Sequence, residues 1–201
     1  MNILHKVNPL VESILDRLDI RYAAKYRQES GLQFTGNVHL KHTRGKQVLH
    51  NAWEPTHNTF TTEGMARLLN IVFRAQATEA AIYCGIFKNN VTPAVGNTAA
   101  ACLGAAGTYG ECQDADYDSP ATNKPAYTIA ATSSAVCTNA AAAASFTMAG
   151  GITVYGAFLS TVAAKTGTTG TLFCAKAFTT PRQVIDNDVL AVTYSITATT
   201  S

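Results

Sequence analysis

Toward the C-terminal end of the chain, short apolar runs alternate with Gly, Thr and Asn turns. Val154-Tyr155-Gly156-Ala157-Phe158-Leu159, Leu172-Phe173-Cys174-Ala175-Lys176-Ala177-Phe178 and Val189-Leu190-Ala191-Val192-Thr193-Tyr194-Ser195-Ile196-Thr197 are rich in β-branched and aromatic residues, which fit a pleated, half-buried surface. They predict three successive strands. Residues 80–87 predict an earlier strand, and residues 125–130 an edge strand, where a leading Pro is tolerated. Residues 145–149 predict another, with the alanine run of 140–144 as its lead-in. Between them, residues 94–123 are rich in Gly and Ala and poor in large apolar side chains, which predicts a surface excursion with a short helix at most. Six or seven strands after residue 80, with no crossover helices, predict a mainly-β domain: an antiparallel β-sandwich of jelly-roll or Ig-like kind.

Upstream the period changes. Asn8 can cap a helix and Pro9 suits its first position, and Val7, Leu10, Val11, Ile14, Leu15, Leu18 and Tyr22 then recur at three- and four-residue steps. This predicts an amphipathic helix over 9–27. Its apolar stripe must be buried, either on the chain's own sheet or on a neighbouring subunit. From Phe34 the period is two, with a turn at Arg44-Gly45-Lys46, which predicts a hairpin over 33–51. Thr61 or Thr62 can cap a further helix over 62–75, although Gly64 in its first turn weakens it. The expected organisation is an N-terminal arm, 1–58, made of the helix and the hairpin, and a sheet domain, 59–201, with a leading helix. The candidate subunit interface is the stripe Val7, Leu10, Val11, Ile14, Leu15, Leu18 and Tyr22 together with Trp53, the one tryptophan, which reads either as a binding anchor or as a plug at the edge of a core.

Charge sharpens this picture. Only 14% of the 201 residues are charged, so a large surface is either covered by neighbours or solvated by hydroxyls and amides. Residues 1–75 carry ten Lys/Arg against six Asp/Glu, and the rest five against seven, giving a weakly basic arm on a faintly acidic body. A net +4 over residues 1–75 does not make nucleic acid the expected partner. No apolar window approaches the roughly 18 residues of a membrane span, and the first residues lack the apolar core of a secretory signal, so folding in a cytoplasm without a membrane partner is expected.

Candidate chemistry is sparse. The five cysteines form no CxxC pair; Cys84 and Cys174 read as small hydrophobes in strands, while Cys102 and Cys112 share one loop and are the candidates for a disulfide. Asp114, Asp116 and Asp118 alternate like the start of a calcium loop, but Ser119 and Pro125 stand where Gly and Glu are required. His39, His42, His50 and His57 cluster in sequence without metal-ligand spacing. There is no Gly-x-Ser-x-Gly, no phosphate loop and no evident acid/base pair of carboxylates, so neither an enzyme nor a cofactor is expected.

Several phrases resemble structural proteins of tailed bacteriophages. His57-Asn58-Thr59-Phe60-Thr61-Thr62-Glu63-Gly64-Met65-Ala66-Arg67-Leu68-Leu69 is similar to a junction that precedes their sheet domain. Ile82-Tyr83-Cys84-Gly85-Ile86-Phe87-Lys88-Asn89-Asn90-Val91-Thr92-Pro93 looks like the strand and turn that follow it. The phrases starting at Thr153 and Gly170 and the ending at Asp188-Val189-Leu190 extend the likeness, which spans 57–201. The resemblance implies a non-enzymatic virion protein: a homo-oligomer in many copies that contacts capsid, portal or tail as a decoration, collar or tail piece. The rival expectation is a lectin-like module binding host glycan, with Trp53, Tyr109, Tyr117 and Tyr127 as the aromatic candidates.

Overall fold

A computed structural model describes residues 32–129 and 134–200. The architecture lies in a unit of Phe34–Ala198 and is mainly β. The strands are β1 (Leu32–Arg44), β2 (Gln47–Trp53), β3 (Thr59–Phe60), β4 (Tyr83–Phe87), β5 (Tyr117–Ser119), β6 (Val136–Thr138), β7 (Ala144–Met148), β8 (Ile152–Ser160), β9 (Leu172–Val184) and β10 (Asp188–Thr200). Among the described residues two helices, α1 (Thr62–Phe73) and α2 (Ala99–Cys102), interrupt them. One sheet runs β2-β1-β10-β7-β5, with β6 also on β10; the other runs β3-β9-β8-β4. Neither closes into a barrel.

Inward side chains of both sheets meet in one core: Val38 and Leu40 of β1, Phe146 and Met148 of β7, and Leu190, Val192 and Tyr194 of β10 join Ile86, Leu159, Cys174 and Phe178 from the other sheet. The three closing strands fall where the apolar runs predict them, and Ala144–Met148 is a strand as expected. Residues 125–127 run beside β4, with the Cys84 amide donating to Pro125 O and the Tyr127 amide to Ile82 O, an edge pairing that accommodates the proline.

The hairpin forms where its period-two pattern places it, and Gly45, at φ 55°, supplies the left-handed position of its turn. Its setting differs from a free arm. β1 lies next to β10 and puts Val38 and Leu40 into the core, because alternate residues of β1 make one apolar face of the kind the sheet buries. The amphipathic helix expected over 9–27, with Val7, Leu10, Val11, Ile14, Leu15, Leu18 and Tyr22, lies outside the described residues.

Residues 94–123 also depart from expectation. Their part from Ala99 to Tyr109 forms a second packing layer, while the short helix at Ala99–Cys102 and the exposure of much of the rest are as expected. Ala99, Cys102, Leu103 and Tyr109 cover the outer side of the β4-β8-β9 sheet, packing with Phe87, Phe158, Leu172 and Ala175. Tyr109 stacks on Phe87 at 4.8 Å between ring centroids. With both faces of β8 and β9 covered, nearly unbroken apolar runs replace alternation in them. Small residues let the stretch from Ala99 to Tyr109 lie close, and Leu103 and Tyr109 supply most of its bulk.

Candidate interaction surface

Exposed apolar side chains concentrate on two elements of the described structure. The first is α1. Its cap follows from the sequence: Thr61 accepts from the Gly64 amide at 3.0 Å, and its hydroxyl donates to Leu172 O while its amide donates to Phe173 O at 3.0 Å. Glu63 accepts from the amides of Ala99 at 2.9 Å and Leu172 at 2.7 Å, so one carboxylate ties α1 to β9 and to the start of α2. The helix is therefore pinned at its N-terminal end. Further along, Leu69, Val72 and Phe73 are 50, 68 and 77% exposed. An apolar face that the described residues leave uncovered is what a partner surface looks like.

The second element is β2, the outer strand of its sheet, where six of seven residues are exposed. Val48, Leu49 and Trp53 stand out into solvent, and none of residues 47–53 is charged. Trp53 is 52% exposed and meets His39 edge-on at 5.2 Å, so it is a surface ring, not a core plug. Edge strands of this kind usually carry charge or Pro that deters pairing.

Beside α1 opens a groove of about 190 Å³ whose accessible wall is wholly apolar. Phe34, Phe60, Leu68, Ile82, Ile129 and Ile196 line it, and Cys137 borders it. Periodicity cannot reveal such a place, since these residues come from distant segments.

Other sequence candidates resolve into internal pairs. Asp116 is buried and takes Lys88 Nζ at 2.8 and 2.7 Å, and Asp114 pairs with Lys165 at 2.9 Å, so the aspartate loop is held by lysines and not by convergence on a cation. His42 is buried with its Nε2 at 3.0 Å from Asp188, His57 bonds Asn37, and His50 lies opposite His42 in the hairpin. Burial shifts the His50 imidazole below its ordinary pKa. Among the described residues no group of three or more His, Cys, Asp and Glu gathers as metal ligands, and no helix is long and apolar enough to cross a membrane.

All five cysteines are free, so Cys102 and Cys112 are not paired; Cys102 is buried in the covering layer and Cys112 in the core between the sheets. Burial pushes the thiols of Cys84, Cys102, Cys112 and Cys174 up, that of Cys174 to about 12. Of the four aromatics offered for glycan binding, Tyr109, Tyr117 and Tyr127 are buried, and Trp53 alone faces solvent.

Two polar clusters carry no local mark in the sequence, because their partners come from separate segments. Lys124 and Glu111 are both fully buried and meet at 2.6 Å; Lys124 also donates to Ala164 O at 2.7 Å, and Glu111 accepts from the Gly104 amide at 2.7 Å. Desolvation drives the Glu111 carboxyl up and the Lys124 amine down, each toward its neutral form. In the second cluster Asp188, inaccessible to solvent, takes a two-pronged contact from Arg44 at 2.9 and 2.8 Å and an amide bond from Ile185 at 2.9 Å. The Arg44 guanidinium holds the Asp188 carboxyl well below the usual carboxylate range. The first cluster ties loop segments to one another, and the second ties the end of β1 to the start of β10.

No protein-family model, no curated protein and no solved structure matches the chain.

Proposed function

We propose that this chain is a non-enzymatic structural subunit of a tailed-bacteriophage particle, present in many copies on the capsid or at the head-tail region and associating with itself and with other virion proteins. The observation that carries the reading is the uncovered apolar face of α1, Leu69, Val72 and Phe73, on a chain with only 14% charged residues. A repeated assembly buries such surfaces at every subunit boundary. The resemblance of residues 57–201 to phage structural proteins supplies the class of particle. Two sheets sharing one core suit a sandwich of jelly-roll or Ig-like kind, a scaffold that tolerates close lateral packing.

Labelling purified phage particles with an antibody to the chain, followed by electron microscopy, tests this. Label is expected at regularly repeated positions on the particle. Its absence from washed particles that contain the other virion proteins would contradict the proposal.

A further inference from the structure

The groove beside α1 and the stripe of residues 7–22 share a chemistry. Every accessible atom of the groove wall is apolar, and Val72, one helical turn from the lining residue Leu68, carries the apolar surface onward along α1. The stripe repeats Leu10, Val11, Ile14, Leu15 and Leu18 at the three- and four-residue steps by which an amphipathic segment anchors in a groove. A volume of about 190 Å³ is comparable to a cavity that holds benzene, so it takes one or two aliphatic side chains at a time.

We infer that this groove receives the apolar stripe of residues 7–22 of a neighbouring copy, which makes the segment a strap between subunits. The inference rests on the many-copy reading proposed above. Chain length permits it: the strand that follows the segment begins at Leu32, and Phe34 is itself a lining residue. The seven steps from Arg27 to Phe34 reach about 25 Å when extended. The exchange is heterologous, each copy giving a strap and receiving one, and in a closed ring it leaves no groove empty. The charged residues of the segment, Glu12, Asp16, Arg17, Asp19 and Arg21, fall between the stripe positions in sequence.

Cys137 provides the test, because it borders the groove and is only partly buried while the other four cysteines are buried. In the full-length Leu15→Cys variant, treated with a short bismaleimide, the expected product is a ladder of covalently joined copies on a denaturing gel, abolished by adding Cys137→Ser. A second variant, Ile129→Glu, puts a charge at a groove position that is 42% exposed and tolerates it. It is expected to weaken self-association about tenfold or more without changing the melting temperature. An assembled protein that gives no link, or a link only within one chain, overturns the strap and leaves the many-copy reading in place. A protein that stays monomeric overturns both.

Discussion

Lys124 and Glu111 show how a nearly uncharged layer holds a charge. Each partner is in the interior only because the other is, and the Ala164 carbonyl and Gly104 amide take the remaining hydrogen bonds. Lys124→Met leaves a carboxyl in a place without water and is expected to destabilise by about 3–5 kcal/mol, whereas Glu111→Gln with Lys124→Met recovers most of that loss. Denaturant unfolding of the three proteins measures it. Asp188 acts with the opposite sign. Its folded pKa lies below its unfolded value of about 4, so its contribution is complete above that pH and disappears as pH falls through the depressed folded value. Melting temperatures of the native chain and of Asp188→Asn are therefore expected to differ most at pH 5–7 and to begin to converge only as the pH falls below about 4. At this scale the sequence hid the answer. Nothing local marks Lys124 as the partner of Glu111, thirteen residues away, or Asp188 as the partner of Arg44 across most of the chain.

At the scale of elements, α1 explains why a glycine sits in a helix. A Cβ at Gly64 would stand 2.5 Å from Phe173 Cα and 2.7 Å from its carbonyl oxygen, so the first turn lies directly on β9. Gly64→Ala improves helix propensity by about 1 kcal/mol, yet the clash is expected to outweigh it and give a net loss of about 1–3 kcal/mol. Thermal melting of the variant checks the sign. The Thr61-Thr62-Glu63-Gly64 phrase thus has a physical meaning: a cap, a carboxylate tie and a close approach. Strands were readable where runs of β-branched and aromatic residues stand between turn residues, as in β8, β9 and β10. The hairpin was also legible, since period two survives on β1, but its position beside β10 was not, because pairing partners are separated by well over a hundred residues. Residues 94–123 misled for a further reason. Ala99, Cys102 and Gly104 look like loop composition, and only the three-dimensional arrangement shows that their smallness brings the segment close to the sheet.

At the scale of the whole described structure, the interior is apolar and part of the exterior is apolar too. Two sheets and a covering layer bury Phe87, Tyr109, Phe146, Phe158 and Tyr194, while α1 and β2 present Val48, Trp53, Val72 and Phe73 outward. This exposed set was only partly legible. Trp53 was singled out as a candidate anchor, but α1 reads in sequence as an ordinary amphipathic helix, and the face it leaves uncovered depends on how its N-terminal end is pinned. A subunit of this kind is expected to self-associate through its apolar surface, and charges placed there, as in Val72→Glu with Phe73→Glu, are expected to separate the copies while changing stability by less than about 0.5 kcal/mol. The most direct measurement is the mass of the native full-length chain by light scattering over a dilution series. The account predicts a defined multiple of 21.3 kDa that persists on dilution, and a constant 21.3 kDa at every concentration would contradict it.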